Sequence, residues 1–290
     1  MKILILGATG MLGHTLFNFL SKDVNTSLDV YGTLRSNSFK EFFNERLHSK
    51  LIVCKDVLNN DLISAIFENI RPNVVINCIS INSRTSSSQN IIETFSLLPH
   101  ALSFSCKEYG ARLIQISSDG VFSGKIKIPY TEDDLPNAND IYGKAKHLGE
   151  VHSDNVINIR TSIIGHEIHG NNGLLEWFLS LNKKCNCYTN VVFNGTTTLE
   201  LSRIILNHIL PYSNTKGVYH VGSSSISRCE LLHIIASIYG KKMSFSEVLH
   251  DKEITRILNF TKFSNQTGYK SKNWNQLIGE MCEYNKNIQR

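Results

Sequence analysis

Met1-Lys-Ile-Leu-Ile-Leu-Gly7-Ala-Thr-Gly10-Met-Leu-Gly13 opens the chain and decides which class of fold we expect. Within it, Ile3–Leu6 is an unbroken apolar run, which is typical of a strand buried on both faces of a parallel sheet. Gly7 ends this run. The apolar residues that come next recur at helical spacing: Met11, Leu12, Leu16 and Leu20. The stretch therefore predicts a buried strand, a glycine turn and a helix in succession.

The three glycines of this stretch suit the binding of a dinucleotide. Gly7 permits the tight turn, Gly10 lets the backbone approach a pyrophosphate, and Gly13 lets the helix pack closely against the strand. The free amides and the positive dipole at the start of the helix then bind the phosphates. An ordinary turn between a strand and a helix can carry the same glycines, but their position directly after a buried strand favours nucleotide binding.

The composition suits a globular protein that binds a small phosphate-bearing molecule. At 290 residues and 41% hydrophobic content, the chain can hold one large α/β domain or two smaller lobes. The net charge of +5 is scattered, which favours a small molecule over nucleic acid as the partner. Met1-Lys2 leads directly into a strand, and no apolar run approaches membrane-spanning length. We therefore expect a soluble, cytoplasmic protein with no nucleic-acid or membrane partner.

The seven cysteines are expected to be reduced thiols in the core, because several lie inside predicted elements. Cys185-Asn-Cys187 lacks a second pair of ligands at the spacing of a zinc site. His166-Glu-Ile-His169 does not place both histidines on one helical face. No metal site is therefore predicted.

Strands and helices alternate along the first half of the chain. Further strands are expected at Leu28–Leu34, Leu51–Cys54, Val74–Ile79 and Leu113–Ile116. Helices are expected at Asn60–Ile70 and at Ile91–Tyr109, with an irregularity at Pro99 and a cap at Gly110. The polar segment Ser80–Asn90 is expected to be a mobile loop at the carboxyl edge of the sheet. This alternation predicts an α/β fold with a doubly wound parallel sheet of the Rossmann type.

The end of the second strand indicates which dinucleotide is bound. NAD-preferring sites usually carry Asp or Glu there to accept hydrogen bonds from the ribose, but Asp29 falls at the opposite end of this strand. Arg35 and Ser36 stand at the carboxyl end instead, where they offer a cation and hydrogen-bond donors to a 2′-phosphate. After the third strand, Asp56 and Val57 are expected to border the adenine. NADPH is therefore the favoured cofactor, and NAD stays open.

Two later segments carry groups suited to proton transfer. Ser117-Ser118 follows a predicted strand, and hydroxyls at the carboxyl end of a parallel strand point toward the ligand crevice. Tyr142 opens a helix, and Lys146 follows four residues later on the same helical face. An ammonium beside a phenol stabilises the phenolate. With the Ser118 hydroxyl, this set can move a proton while a nicotinamide moves a hydride.

A second Tyr-x-x-x-Lys pair provides an internal comparison. Tyr212 and Lys216 have the same spacing, but Pro211 and the polar residues after it place that pair in a loop. The helical context therefore favours Tyr142 as the proton donor over its alternative as a partly buried structural tyrosine.

Several motifs along the chain match a known family. They are Gly7-Ala-Thr-Gly-Met-Leu-Gly13, Asn77-Cys78, Ser117-Ser-Asp-Gly-Val-Phe-Ser-Gly124, Tyr130-Thr-Glu132, Tyr142-Gly-Lys-Ala-Lys146, Ile159-Arg-Thr-Ser162 and Gly217-Val-Tyr-His220. With them the chain resembles the extended short-chain dehydrogenase/reductases and, among these, the dTDP-4-dehydrorhamnose reductase group, over most of its length. The resemblance implies an NAD(P)-dependent oxidoreductase that acts on a nucleotide-linked 4-keto-6-deoxy sugar in the biosynthesis of surface polysaccharide sugars. Formation of a homodimer stays open.

The resemblance also implies roles for individual residues. Ser118, Tyr142 and Lys146 are expected to be catalytic. The expected cofactor-binding residues are Gly7, Thr9, Gly10, Met11, Leu12, Gly13, Arg35, Ser36, Asp56, Val57, Cys78, Ile79, Ser80, Tyr142 and Lys146. The expected substrate-binding residues are Asp119, Gly120, Val121, Phe122 and Arg160.

Four features depart from the family pattern. Gly120 stands where the rhamnose enzymes carry Tyr, and Phe193-Asn-Gly-Thr-Thr-Thr198 replaces a segment that ends in Pro-Thr. Arg256-Ile-Leu replaces a carboxyl-terminal Arg-Pro stretch, and Ser96 replaces a structural Asn. A UDP-linked N-acetylated deoxysugar is therefore as good a candidate substrate as a dTDP-linked one.

Residues 1–160 are expected to form the NADP-binding Rossmann domain. Residues 161–290 are expected to form mainly a smaller substrate-binding lobe, with some segments returning to the sheet. The elements expected in this lobe are helices at Leu174–Leu181, Leu199–Ile209, Glu230–Tyr239 and Trp274–Tyr284 and a strand at Val218–Val221. Trp177, Phe178 and Trp274 are expected in its core rather than stacked on a base.

Two other functions stay open. An epimerase or dehydratase of the same superfamily would recycle a tightly held NAD. Arg35-Ser36 argues against it, as does the absence of a Glu beside Ser118-Asp119. A non-catalytic, NADP-binding regulatory subunit would share the fold, but the intact set of Ser118, Tyr142 and Lys146 argues against that function. Cofactor retained on purification would identify the first alternative, and an absence of turnover would identify the second.

Overall fold

The computed structural model of the protein describes residues 1–22, 27–125 and 128–288. The strands are β1 (Lys2–Leu6), β2 (Asp29–Leu34), β3 (Leu51–Val53), β4 (Val74–Asn77), β5 (Arg112–Ile116), β6 (Val156–Arg160), β7 (Ile163–Ile164), β8 (Lys184–Tyr188), β9 (Val191–Phe193), β10 (Thr196–Thr197), β11 (Gly217–His220), β12 (Ile226–Ser227), β13 (Ser244–Val248) and β14 (Ile254–Arg256). The helices are α1 (Met11–Lys22), α2 (Asn60–Ile70), α3 (Ser88–Ile92), α4 (Leu98–Glu108), α5 (Ile141–Leu148), α6 (Leu174–Ser180), α7 (Thr198–Ile204), α8 (Arg228–Ile238), α9 (Thr261–Thr267) and α10 (Trp274–Ile288).

The chain folds into two compact units. The first comprises Met1–Ser117, Asp140–Ile159 and Asn214–Val218, and the second comprises Ser118–Asn139, Arg160–Ser213 and the chain from Tyr219 onward. The chain therefore passes from one unit to the other several times, and one crossing lies between Ile159 and Arg160. Within the described ranges, no helix has the length and apolar character needed to cross a bilayer.

A seven-stranded sheet with the order β11-β6-β5-β4-β1-β2-β3 organises the first unit. The pairs from β6 through β3 are parallel. β1 lies inside the sheet, and its residues Ile3–Leu6 are fully buried, as their unbroken apolar run predicted. The strand order reverses between β1 and β4, and open α/β sheets bind ligands at the carboxyl ends of such a pair. The predicted doubly wound parallel sheet is confirmed.

The predicted helix over Ile91–Tyr109 is real but begins earlier and is interrupted. Its first part, α3, starts at Ser88 inside the segment predicted as a loop, because the Ser87 hydroxyl caps it by accepting from Asn90 N. A π-helical turn over Glu93–Leu97 then separates α3 from α4. Pro99 stands in the first turn of α4, where its missing N–H costs little. The predicted irregularity therefore lies just before the proline.

The second unit has its own core, in which α6, α8 and α10 pack with β8 and β9. The helices predicted for this half are present as α6, α7 with a π-helical turn after it, α8 and α10. Phe178 and Trp274 are buried as expected. Trp177 is 38% exposed, which corrects its assignment to the core, because it lies on the outer side of α6.

Two of the seven cysteines form a disulfide, which corrects the expectation that all are reduced thiols. Cys187 on β8 is bonded to Cys229 on α8, 42 residues later in the sequence. The two meet because α8 packs against β8, which no local pattern reveals. The free cysteines of the structure are all buried: Cys54, Cys78, Cys106, Cys185 and Cys282.

Candidate active site

The loop between β1 and α1 has the geometry expected of its glycines. Gly7 has a φ of +80°, which residues with a side chain rarely adopt. A Cβ on Gly13 would overlap the carbonyl oxygen of Gly7, so α1 begins in close contact with this loop. Thr33 on β2 holds the loop in place, since its hydroxyl accepts from Gly7 N at 3.0 Å. The first turn of a helix leaves free amides that can bind a pyrophosphate.

The other predicted cofactor residues of this loop differ in what they can offer. Thr9, Gly10 and Met11 are half-buried, so part of each residue stays accessible to a ligand. Leu12 is buried, and its side chain belongs to the core rather than to a ligand surface. Its contribution to a phosphate site is therefore limited to its backbone amide.

Gly13→Ala is expected to destabilise the protein by about 1–3 kcal/mol, because the added methyl group has no room in this contact. Gly279→Ala is the matched control, since Gly279 also lies in a helix but has open space around its Cβ position. That change should stabilise the protein by about 0.4–1 kcal/mol. Urea unfolding of both variants measures these opposite changes in the free energy of unfolding. A Gly13→Ala protein as stable as the wild type would contradict the close contact.

The carboxyl end of β2 presents an exposed cation. Arg35 is exposed, and Ser36 caps a short 3₁₀ helix by accepting from Ser38 N at 3.3 Å. Asp29 lies at the other end of β2, where its carboxylate pairs with Lys50 at 2.5 Å. The hydrogen bond from Lys50 lowers the pKa of the Asp29 carboxyl. The Asp29 carboxylate is therefore paired with Lys50 and lies at the end of β2 opposite to Arg35.

The residues that follow β3 and β4 differ in exposure. Asp56 is exposed and accepts from Leu58 N at 2.9 Å, while Val57 is half-buried. Cys78 is buried, and burial raises the pKa of its thiol to about 12, so the thiol carries no charge at neutral pH. A Cβ on Gly7 would lie 3.0 Å from the Ile79 side chain, so the end of β4 lies against the glycine loop. Ser80, the next predicted residue, is exposed.

Tyr142 and Lys146 lie on α5 and share an aromatic partner, Phe95. The rings of Tyr142 and Phe95 meet edge to face with their centroids 5.3 Å apart. The Lys146 Nζ lies 4.5 Å from the centroid of the same Phe95 ring. The Asp140 carboxylate caps α5 by accepting from Gly143 N at 2.9 Å. One ring thus packs against both the phenol and the ammonium.

The ammonium of Lys146 is buried. Its Nζ donates to the carbonyl oxygen of Ile116, at the end of β5, over 3.1 Å. Burial lowers the pKa of this amine to about 8, although the negative charge of Glu150 opposes the effect. Glu150 is itself buried and accepts from the Ser117 hydroxyl at 2.7 Å. A buried amine that titrates near neutrality, next to a phenol on one helix, is suited to proton transfer.

Of the residues that position this pair, Ser96 had been noted only as the replacement of a structural Asn, and the others were not predicted. The Ser96 hydroxyl donates to the carbonyl oxygen of Ala145 at 3.0 Å, and a Cβ on Gly149 would overlap the carbonyl oxygen of Phe95. The π-helical turn that carries Phe95 and Ser96 therefore packs tightly against α5. These contacts join distant segments and leave no local signal. Glu150 alone had one, since an acid four residues after Lys146 suggests a pair.

Ser118 belongs to the second unit and begins a short 3₁₀ turn over Asp119–Val121. Its Oγ accepts from Gly120 N at 2.9 Å and lies 3.2 Å from Asp119 Oδ1, to which it donates. Burial raises the pKa of the Asp119 carboxyl, against the opposing charge of Arg256. The turn therefore fixes the orientation of the Ser118 hydroxyl. Its assignment as the third catalytic residue stays a prediction.

The remaining residues predicted to bind substrate form an internal network of the second unit. The Phe122 and Tyr130 rings stack with centroids 4.1 Å apart, and the Arg160 guanidinium lies 5.1 Å from the Phe122 centroid. Arg160 Nη1 also lies 3.3 Å from His220 Nε2. Three of the predicted residues are almost fully buried: Val121, Phe122 and Arg160. The motifs around Tyr130 and His220 thus supply packing and hydrogen bonds to this unit.

The second Tyr-x-x-x-Lys pair lies in a loop, as its neighbouring residues predicted. The Tyr212 hydroxyl donates to the carbonyl oxygen of Thr267 at 3.3 Å. The Lys216 ammonium forms an ion pair with Asp154. Each side chain therefore has a structural partner of its own.

The chain is similar to a protein-family model, to curated proteins and to solved structures. The family model described as RmlD substrate binding domain matches residues 1–285. Methionine adenosyltransferase 2 subunit beta of Danio rerio is 30% identical over 150 residues, which cover 51% of this chain and 42% of that protein. Spore coat polysaccharide biosynthesis protein SpsK of Bacillus subtilis is 29% identical over 172 residues, which cover 55% of this chain and 58% of that protein. The chain thus spans about half the length of these curated relatives.

Among solved structures, dTDP-4-dehydrorhamnose reductase of Bacillus anthracis, in complex with NADP, matches with a TM-score of 0.78. The match covers 98% of this chain and 99% of that chain at 20% identity. At this identity the likeness shows the fold, which agrees with the doubly wound sheet described above.

Proposed function

This chain belongs to the RmlD substrate binding domain family, and from that premise we propose that it is an NADPH-dependent reductase of a nucleotide-linked 4-keto-6-deoxy sugar. The observation that carries the proposal is the arrangement of Tyr142 and Lys146 on α5. A phenol and a buried amine with a pKa of about 8 pack on one ring, Phe95. This arrangement suits a general acid and the cation that stabilises its conjugate base.

The residues around β1 and β2 fit a dinucleotide that carries a 2′-phosphate. The positive φ of Gly7 and the missing Cβ of Gly13 bring the first turn of α1 close to the end of β1, where a pyrophosphate can accept from its amides. Arg35 is exposed at the end of β2. The NADP complex of the Bacillus anthracis enzyme supports the same cofactor for this chain.

When bound, NADPH supplies a hydride for the carbonyl carbon of the sugar. The Tyr142 hydroxyl donates its proton to the carbonyl oxygen, so an alcohol forms and a phenolate is left on Tyr142. The Lys146 ammonium stabilises that phenolate, while its hydrogen bond to Ile116 O keeps the amine oriented. A proton from solvent then restores the phenol.

The biological role that fits this activity is the biosynthesis of a surface polysaccharide sugar in the cytoplasm. The similarity to a spore coat polysaccharide biosynthesis protein supports this role. The similarity to a methionine adenosyltransferase subunit favours the second candidate, a regulatory protein that binds NADP without turnover. The buried ammonium beside Tyr142 favours the reductase, because a regulatory protein has no need of a lysine held at a desolvation cost.

Oxidation of NADPH against a panel of dTDP-, UDP- and GDP-linked 4-keto sugars tests the proposal directly. The reductase is expected to turn over at least one of them, and the panel also identifies the nucleotide and the sugar. An epimerase would instead retain NAD on purification. A protein that binds NADPH but turns over none of the panel would be assigned to the regulatory class.

Arg35→Ala is expected to weaken NADPH binding roughly ten- to a hundredfold, because a charge-assisted contact with the 2′-phosphate contributes about 1.5–3 kcal/mol. NADH affinity should hardly change, since NADH has no phosphate at this position. Titration of the protein with both cofactors measures the difference. Equal losses for NADPH and NADH would remove Arg35 from the 2′-phosphate site.

A further inference from the structure

Three side chains capable of binding a metal meet in the second unit, and none of them is among the residues proposed for catalysis. Cys187 lies on β8, and Cys229 and His233 lie on α8. The two Sγ atoms and a ring nitrogen of His233 are all within 4.8 Å of one another. Because Cys229 and His233 are four residues apart, they share one face of α8. In this structure the two sulfurs are joined as a disulfide.

Glu247 is placed to complete a set of four ligands. Its strand, β13, pairs in parallel with β8, and Glu247 is the register partner of Cys187. The Glu247 Oε1 atom lies 4.0 Å from His233 Nε2. Glu230 is the other acid nearby, but its carboxylate accepts from Ser227 N at 2.9 Å and is held in the capping box of α8. Glu247 is therefore the carboxylate that can turn toward the sulfurs.

A surface pocket gives the cluster access to solvent. The pocket has a volume of about 600 Å³, and its walls include Cys229, His233 and Glu247. Cys187 and Cys229 are themselves almost fully buried, so an ion that reached them would lose its contact with bulk water on one side.

We propose that the reduced form of this cluster binds one divalent cation of the Zn²⁺ type through Cys187, Cys229, His233 and Glu247. The Cys187–Cys229 disulfide is then the oxidised, metal-free form of the same site. Two thiolates, an imidazole and a carboxylate form a tetrahedral ligand set that Zn²⁺ prefers. Metal–ligand distances of about 2.0–2.3 Å place tetrahedral ligand atoms roughly 3.3–3.8 Å apart. The ligand atoms of Cys187, Cys229 and His233 lie within 4.8 Å of one another, and the proposal requires their side chains to rotate to this spacing once the S–S bond is broken.

The interconversion of the two forms balances in atoms and electrons. A dithiol reductant breaks the Cys187–Cys229 bond, gives two hydrogens to the two sulfurs and becomes a disulfide itself. The cation then displaces both protons to solvent as two S–metal bonds form, and its own oxidation state does not change. In the reverse direction the cation leaves, each sulfur regains a proton from solvent, and a small-molecule disulfide takes two hydrogens from the thiols and becomes a dithiol. The metal-bound form therefore resists disulfide formation, because its sulfurs are no longer free to react.

The test uses the full chain, reduced with a trialkylphosphine, which becomes a phosphine oxide and carries no thiol to compete for the metal. Co²⁺ is the probe, because thiolate ligands give it intense charge-transfer absorption. The reduced protein is expected to bind one Co²⁺ with this absorption and to exchange it for Zn²⁺. The oxidised protein is expected to bind none. Both measurements use the wild-type protein, so they do not depend on whether a variant folds.

Variants then identify the ligands. Cys187→Ser and His233→Ala are each expected to weaken Co²⁺ binding more than about a hundredfold. Loss of a residue that only hydrogen-bonds to a metal ligand already lowers metal affinity about 10- to 100-fold, and these two residues are proposed as ligands themselves. Cys185→Ser is the matched control, because Cys185 lies on the same buried face of β8 but outside the cluster. Circular dichroism of each variant verifies its fold. The proposal is overturned if the reduced wild type binds no stoichiometric Co²⁺, if Cys187→Ser retains the charge-transfer absorption, or if Cys185→Ser loses it equally. None of these results depends on the proposed reductase activity.

Discussion

Tyr142→Phe is expected to lower kcat for NADPH oxidation about 10²- to 10⁴-fold, because general acid catalysis typically contributes that much. The substitution removes the hydroxyl that donates the proton but keeps the ring that packs edge to face on Phe95. The affinity for NADPH and the free energy of unfolding should therefore change little. Steady-state kinetics on the keto sugar identified by the substrate panel, with cofactor titration in parallel, measures both quantities.

Tyr212→Phe is the matched control for this prediction. Tyr212 belongs to the second Tyr-x-x-x-Lys pair, but its hydroxyl binds a backbone carbonyl in a loop. Its loss should leave kcat within roughly twofold, because changes of this kind alter stability by only about 0.5 kcal/mol. If Tyr142→Phe keeps wild-type turnover, another group is the acid and the assignment is wrong. If the wild type itself binds NADPH but reduces no sugar of the panel, the regulatory function replaces the reductase.

Lys146→Met is expected to lower kcat roughly 10- to 10³-fold. An adjacent cation favours the charged form of an acid by about 1–3 pKa units, and each unit corresponds to a tenfold change. Methionine keeps much of the length of the buried side chain but removes its charge, its hydrogen bond to Ile116 O and the contact of its ammonium with the Phe95 ring. Lys144→Met is the control, since Lys144 is exposed on the same helix and should tolerate the change with little effect on kcat. Equal activity of the two variants would show that the buried ammonium has no part in the reaction.

The pH dependence provides a second measurement on Lys146. Because its pKa is about 8, the amine is charged below this pH and neutral above it. The value of kcat/KM, which reports on the free enzyme, should therefore fall as the pH rises through about 8. In the unfolded chain Lys146 has its ordinary, higher pKa and keeps this proton above pH 8, whereas the folded protein loses it there. The contribution of Lys146 to the free energy of unfolding therefore rises with pH above about 8. Loss of activity there cannot come from the effect of Lys146 on unfolding. The break near pH 8 should disappear in Lys146→Met.

Local patterns were enough to predict the architecture of the first unit. The apolar run Ile3–Leu6 predicted a strand inside a parallel sheet, and β1 lies there. The helix predicted over Asn60–Ile70 has these bounds in the structure, because its buried residues recur at helical spacing. Gly7 adopts a positive φ, and Gly13 lies in close contact with the Gly7 carbonyl group. Both features were predicted because these residues are glycines. The bounds of β2, β4 and β5 differ from the prediction by one or two residues.

The second unit was predicted less completely. Its longer helices were recognised from their periodicity, but most of its strands were not. β7, β10 and β12 have two residues each, which is too short to show the alternation by which a strand is recognised. β8 alternates polar and apolar residues over Lys184–Tyr188, a strand signal that was missed, whereas β13 does not alternate cleanly. Their partners follow from tertiary packing.

The sequence by itself determined the class of fold, the position of the glycine loop, and the placement of Tyr142 and Lys146 on one face of a helix. Each of these depends on residues within a few positions of one another, where spacing alone constrains the geometry. The tertiary structure alone decided that Phe95 and Ser96 hold α5 in place, and that burial lowers the pKa of Lys146. It also decided that Cys187 meets Cys229 and His233. These features join segments that are far apart in the chain, and desolvation and long-range contact exist only once the core has packed.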